Sequence, residues 1–167
     1  MINEIDTKIL NIIQQNARIS NAEIARQVVL APSAVLERIR KLEERGVIRG
    51  YAADIDAAQV GFGLTAFVFV RTSFCGSIGS VLAKIPEVLE VHDIAGEDCY
   101  LLKVRAENTE KLGTFFREKL KNLPEIISTK TTIVLQTIKE SIALPLEQNS
   151  ELKVTSPAKR KQRAKSK

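Results

Sequence analysis

The apolar residues of this chain follow one period before residue 46 and another after residue 64, and that change constrains the fold more than any single residue. Ile5, Ile9, Ile12 and Ile13 recur at intervals of three and four, with Ile2 one turn earlier, which predicts a helix with one buried face. Beyond residue 64, strand-length runs such as Leu64–Val70 and Tyr100–Ala106 alternate with stretches of helical period. A first part able to form only helices, followed by an alternation of both kinds, predicts two units of different architecture in an α+β chain.

The first unit, residues 1–50, reads as three short helices. After a turn at Asn16-Ala17-Arg18, Ser20 and Glu23 have capping-box spacing and predict a second helix over Asn21–Val28 that buries Ile24 and Val28. Pro32 suits the first turn of a third helix, which runs to about Arg45 and turns Val35, Leu36, Ile39 and Leu42 inward, with Gly46 ending it. A tight turn between the last two helices makes a helix-turn-helix. Ser33 and Ala34 lie at the tip of the third helix. Glu37, Arg38, Lys41 and Arg45 project from its outer face, with Arg40 on the other border. Small residues near the tip permit approach to bases, and basic residues further along meet phosphates. The plainer alternative is a solvated helix face with ion pairs such as Glu37–Lys41.

Val47–Ile55 reads as β-like and Asp56–Gly63, with Gly61 and Gly63, as a hinge, so residues 51–63 form a β linker between the units. The second unit, residues 64–146, reads as strand Leu64–Val70, helix Ser77–Ile85, strand Val88–Ile94, turn Gly96–Cys99, strand Tyr100–Ala106, a helix capped by Thr109 and running to about Asn122, and a long strand Ile126–Ile138. That order predicts a ferredoxin-like βαββαβ sandwich, four antiparallel strands with two helices on one face. The opposite sheet face needs a cover, and a second copy of the chain is the simplest one, giving a homodimer.

The net charge of +5 is concentrated at one end. Residues 147–167 carry seven Lys or Arg against two Glu, so the rest of the chain is neutral. This tail, with Lys159, Arg160, Lys161 and Arg163 at its centre, has too little apolar surface for a core and is expected to be disordered in isolation. It suits sequence-independent phosphate contact, the alternative being a solubilising tail. No apolar run is long enough to span a membrane, and the N-terminal residues lack the basic start and apolar core of a signal peptide, so a cytoplasmic, nucleoid-associated protein is expected. One histidine, His92, which suits sheet packing or the surface, leaves little for metal or triad chemistry. Cys75 and Cys99 are too far apart for a CxxC zinc motif and read most simply as reduced, unreactive thiols.

Several segments, in order, resemble the Lrp/AsnC ("feast/famine") family of regulators. They are Ile5-Asp6-Thr7-Lys8-Ile9-Leu10, Asn16-Ala17-Arg18-Ile19-Ser20, Leu36-Glu37-Arg38-Ile39-Arg40-Lys41-Leu42-Glu43, Gly46-Val47-Ile48-Arg49-Gly50-Tyr51, Ala95-Gly96-Glu97-Asp98-Cys99-Tyr100-Leu101-Leu102-Lys103-Val104 and Thr129-Lys130-Thr131. The resemblance implies a winged helix-turn-helix regulator of double-stranded DNA that dimerises, often forms octamers of four dimers, and commonly binds an amino acid between subunits. On that reading, backbone N–H groups near Gly96 hold the effector carboxylate and Glu97 or Asp98 pairs with its ammonium. Tyr100 borders this loop, and Thr129 and Thr131 offer hydroxyls from a neighbouring subunit. A plain β-turn and exposed strand threonines are the alternatives. The chain departs from the family pattern at Val29, where Gly is frequent, at Ala31, where Ser is frequent, and at Cys99, where an acid often precedes the aromatic. Two other functions fit parts of the pattern. One is a nucleoid-architectural protein without effector. The other is a tetrapyrrole-decarboxylating enzyme of similar architecture, disfavoured because such chemistry needs several His and Arg, and the second unit offers only His92, Arg71, Arg105 and Arg117. No enzymatic activity and no cofactor beyond an amino-acid effector are expected.

Overall fold

The computed structural model describes Ile2–Glu147, which divide into two units, residues 2–53 with 141–147, and Asp54–Glu140. In the first unit, α1 (Glu4–Gln15), α2 (Asn21–Val28) and α3 (Pro32–Glu44) enclose Ile9, Ile24, Ala25, Val35 and Ile39. Each helix start is made differently. The Asp6 amide donates to Asn3 Oδ1 at 2.9 Å and the Asn3 amide returns to Asp6 Oδ2 at 3.2 Å, a complete capping box. At Ser20 only half of the expected box forms: the Glu23 amide donates to Ser20 Oγ at 3.1 Å, while the Glu23 carboxylate pairs with Arg26 instead. Ala31 provides no side-chain cap for α3, and Pro32 takes its first turn. Gly46, at φ 68°, ends α3 as expected. Leu36, expected inside, is 55% exposed, because Val35, Ile39 and Leu42 already fill the inward stripe and Leu36 falls on its flank.

The chain returns to this unit after residue 140, which moves the expected boundary at residue 146. Leu146 packs against the small cluster of Ile2, Leu10 and Leu42. Asn11 Nδ2 donates to the Leu146 carbonyl at 3.1 Å. Gln14 brackets Leu144, donating to its carbonyl at 3.2 Å and accepting from its amide at 2.7 Å.

The second unit is the expected four-stranded antiparallel sheet, in the order β2-β3-β1-β4, built from β1 (Leu64–Thr72), β2 (Val88–Asp93), β3 (Tyr100–Ala106) and β4 (Ile126–Ile133). Ala66, Val68, Val70, Leu102 and Val104 form its core with Leu82 of α4 (Gly79–Leu82) and Leu112 and Phe115 of α5 (Thr109–Phe115). Several expected boundaries move. The segment 77–85 yields only a four-residue helix and leaves Val81 exposed. A bulge between Val88 and Glu90 breaks the simple alternation of β2, so Val88 and Val91 pair with core-facing Val104 and Leu102 while Glu90 and His92 share the opposite side. Asn108, not Thr109, caps α5, accepting from the Lys111 amide at 2.9 Å. Past Phe115 the helix widens into a π turn over Phe116–Leu120, which lets both Phe115 and Leu120 reach the core five residues apart. β4 stops at Ile133 rather than Ile138, because Ile133 already pairs with Ala66 near the start of β1 and little partner strand remains. Residues 51–63 contain no strand.

On the helix-free face, Phe67, Phe69 and Leu101 are ringed by charge. Lys103 bridges Glu90 at 3.1 Å and Glu140, and Arg105 Nη2 reaches Glu140 at 2.9 Å. The Lys103 hydrogen bond holds the Glu140 carboxyl below its usual range, and His92 first, then Lys103, do the same for Glu90. No helix among the described residues is long and apolar enough to cross a membrane.

Candidate DNA-reading helix and effector loop

The outer face of α3 carries Ser33, Glu37, Arg40 and Glu44 at intervals of three and four, with Lys41 beside them. Glu37 is its electrostatic centre. Its carboxylate lies 3.3 Å from Lys41 and 3.4 Å from Arg40, which also reaches Glu44 at 3.6 Å. The Lys41 hydrogen bond, then the Arg40 charge, hold the Glu37 carboxyl below its usual range. These contacts hold two cations side by side on an exposed surface. Arg45 is exposed at the C-cap position.

Arg38 does not project with them. Its Nη1 donates to Asp6 Oδ1 at 2.8 Å, so it ties α3 to the capping box of α1. The expected reader is a fastener between helices. The clue in the sequence is Asp6, a carboxylate between Ile5 and Thr7 at the third position of an amphipathic helix. At the helix-turn-helix corner, Val29 sits at φ 56° and ψ 53°, in the left-handed region, which explains why glycine suits this position. Behind α3, the Tyr51 hydroxyl donates to Glu43 Oε1 at 2.8 Å. Although the residue is half exposed, desolvation first and that carboxylate second raise its pKa to about 12.

In the second unit, Gly96 and Glu97 are exposed and Asp98 is half-buried, in the loop between β2 and β3. Gly96 has φ 154°, a conformation that side chains rarely adopt. Tyr100 corrects expectation: it is 2% exposed, and its hydroxyl accepts from the amides of Ile78 and Gly79 at 3.3 and 3.2 Å. It pins the start of α4 to β3 and offers nothing to a ligand in the loop. Thr129 pairs with Val70, which pairs with Tyr100 on its other side, so Thr129 lies two strands from the loop. Thr131 follows on the same side of β4. Thr129 instead lines a cleft of about 310 Å³ with Phe116, Arg117 and Leu120. One chain therefore does not bring the two halves of the expected effector site together. His92 is on the surface beside Glu90, at 3.1 Å.

Cys75 and Cys99 also differ from expectation: they are joined in a disulfide. The strand pairing that brings Thr72 and Val70 beside the end of the 95–99 loop makes this possible, and a separation of 24 residues hides it in sequence. The tail residues Lys159, Arg160, Lys161 and Arg163 lie outside the described residues.

A three-helix unit with an exposed recognition helix, followed by a four-stranded αβ unit, defines a helix-turn-helix transcription regulator with a separate regulatory domain. Residues 2–49 match the family profile described as winged helix-turn-helix DNA-binding, and residues 65–144 match that described as the Lrp/AsnC ligand binding domain. The chain is 37% identical over 148 residues to the HTH-type transcriptional regulator FL11 of Pyrococcus horikoshii, a match covering 87% of this chain and 97% of that protein. It resembles the L-Met complex of transcriptional regulator NMB0573 from Neisseria meningitidis with a TM-score of 0.82 and 31% identity, covering 87% of this chain and 97% of that one. It also resembles the feast or famine regulatory protein Rv3291c from M. tuberculosis complexed with L-methionine, with a TM-score of 0.80 and 30% identity, covering 86% and 99%. This chain belongs to the Lrp/AsnC family of transcriptional regulators.

Proposed function

We propose that the chain is a sequence-specific regulator that reads double-stranded DNA through α3 and answers to an amino acid held at a subunit interface. The observation that carries the DNA reading is the exposed face bearing Ser33, Arg40 and Lys41, on a helix whose other side is fixed by Val35, Ile39 and the Arg38–Asp6 pair. In this reading, Ser33 approaches the bases, and Arg40 and Lys41, released from Glu37, meet base edges or phosphates. Arg38 acts only by holding α3 in place, and Arg45 extends the basic border.

Two subunits meet through the face that carries Phe67, Phe69 and Leu101, and dimers assemble further. The loop Gly96–Asp98 of one subunit then faces the Thr129–Thr131 edge of another, completing a site that neither subunit forms alone. Backbone amides near Gly96 and the Asp98 carboxylate match the two charged ends of an amino acid. The presence of L-methionine in two relatives makes it the first ligand to test. The tail beyond Glu147 adds phosphate contacts without reading sequence. Its point of departure supports this, since the chain up to Glu147 is held on the DNA-binding unit by Asn11 and Gln14. The protein works in the cytoplasm, on the nucleoid.

The test is selection of bound sequences from a random DNA pool, followed by titration of the winner and of random DNA at one stated salt concentration. Arg40→Ala or Lys41→Ala should weaken the selected site by about 1–3 kcal/mol if it reaches a base edge, and random DNA less. Equal affinity for all sequences would overturn the sequence-specific reading in favour of an architectural one. L-methionine should raise the melting temperature of wild type and not of Asp98→Ala; no stabilisation by any of the twenty amino acids would remove the effector.

A further inference from the structure

The disulfide joins two cysteines in unlike surroundings. Cys75 is exposed in the turn after β1, beside Gly76 with its φ of 88°. Cys99 is 2% exposed, and its sulfur lies 3.9 Å from the Thr72 carbonyl. The Cα atoms are 5.2 Å apart, within the range that a disulfide spans without backbone movement. On reduction, a Cys99 thiol left at this position would have the Thr72 carbonyl within reach as an acceptor. One cysteine is open to solvent, and the other is shielded and close to it.

We propose that Cys75 and Cys99 form a thiol–disulfide exchange site for low-molecular-weight disulfides, with Cys75 as the attacking thiol and Cys99 as the resolving one. The Cys75 thiolate attacks one sulfur of R–S–S–R, forming Cys75–S–S–R and releasing one R–S⁻, which takes up a proton. Cys99 then loses its proton and attacks Cys75 Sγ. The mixed disulfide breaks, the second R–S⁻ leaves, and the Cys75–Cys99 bond forms. Two electrons pass from the protein thiols to the small disulfide, which ends as two thiols. In a compartment rich in small thiols the reverse sequence reopens the bond, so the pair reports the local ratio of thiol to disulfide rather than serving as a permanent staple.

The consequence falls on one loop. The Cys99 amide donates to the Val70 carbonyl at 2.9 Å and its carbonyl accepts from the Ile94 amide at 3.0 Å, so Cys99 closes the loop that carries Gly96, Glu97 and Asp98. The disulfide fastens that closure to the turn after β1. Exchange therefore sets the freedom of the effector loop, a step that rests on the amino-acid reading proposed above.

The experiment treats full-length reduced protein with oxidised glutathione and follows intact mass. Wild type should pass through a species carrying one glutathione and finish lighter than the reduced chain by two hydrogens. Cys99→Ser, whose hydroxyl can use the Thr72 carbonyl, should stop at one glutathione on Cys75. Cys75→Ser should stay unmodified over the same interval, because Cys99 is shielded. Peptide mapping of wild type at early times locates the first attack even if a variant folds poorly. Equal rates for the two variants, early glutathione on Cys99, or a wild type that never closes its disulfide would each overturn the exchange site. L-methionine affinity, measured on the oxidised and reduced wild type, should differ several-fold. Equal affinity would break the link to the loop. No binding in either state would reject the effector reading, while the mass data judge the exchange site on their own.

Discussion

Val29→Gly should stabilise the DNA-binding unit. Val29 occupies the left-handed region, with φ 56° and ψ 53°, at the C-cap of α2. Its amide, and that of Leu30, both point back to the Ala25 carbonyl, so the corner demands this conformation. A side chain with a Cβ pays about 1–2 kcal/mol to be there, and the β-branch of valine adds crowding. Glycine removes that strain but loses about 0.5–1 kcal/mol more backbone entropy on folding. The valine side chain is 87% exposed, so little burial is forfeited. The net gain is about 0.5–1.5 kcal/mol, and for a unit of this size each kcal/mol moves the melting temperature by roughly 4–8 °C. Calorimetry of wild type, Val29→Gly and Val29→Ala checks it. Val29→Ala keeps a Cβ in the same region and should recover less than glycine. A Val29→Gly protein no more stable than wild type would refute the strain argument.

Three further outcomes are expected. Ala31→Ser supplies the missing side-chain cap of α3 and should add about 1 kcal/mol in thermal unfolding. Arg38→Ala removes the partner of a largely buried Asp6 and should lower stability by about 1–2 kcal/mol, while the folded variant loses less specific DNA affinity than Arg40→Ala, as titration below the melting range would show. Glu90 and Glu140 have carboxyls lowered from 4.5 by their partners, so their stabilising effect is present above that value and fades as pH falls through the lowered folded values. Urea midpoints measured from about pH 7 down to about pH 3 should fall less steeply in Glu140→Gln, which begins weaker at neutral pH.

How far the sequence could be read depended on whether a feature was local. The helices of the first unit and the strand order of the second follow from apolar periods that neighbouring residues set. The π turn at Phe116, the bulge after Val88 and the short α4 are small adjustments that bring side chains onto a core whose shape no single segment knows. The site residues were harder because their partners are distant in sequence. Arg38 reads as outward from its helix alone, and only the packing of α1 against α3 shows that Asp6 lies beside it. Tyr100 reads as a ligand neighbour from its position at the loop, yet strand pairing turns it inward to the amides of Ile78 and Gly79. The disulfide and the docking of Leu146 were hidden for the same reason. The tail's composition, by contrast, states its charge without any need of a fold.

That docking leads to a final expectation, which separates two parts of the C-terminus that the sequence runs together. A unit of about fifty residues has little core to spare, and this one carries a strained Val29 and an uncapped α3. The segment Ser141–Glu147 supplies part of what is lacking. Leu146 is half-buried against Ile2, Leu10 and Leu42, which is worth about 1 kcal/mol, and the side-chain bonds from Asn11 and Gln14 add a few tenths each near solvent. A chain ending at residue 147 should therefore melt like the full protein but show a flatter salt dependence of DNA binding. If four or five tail cations engage phosphates, the slope of log K against log salt changes by about 4, alike for selected and random DNA. A chain ending at residue 140 should show the same salt slope as the first truncation and, in addition, a DNA-binding unit less stable by about 1–2 kcal/mol. Calorimetry and salt titrations on the three lengths decide both points. An unchanged slope on removing the tail would refute phosphate contact, and equal melting of the two truncations would refute the strapping role of Leu146.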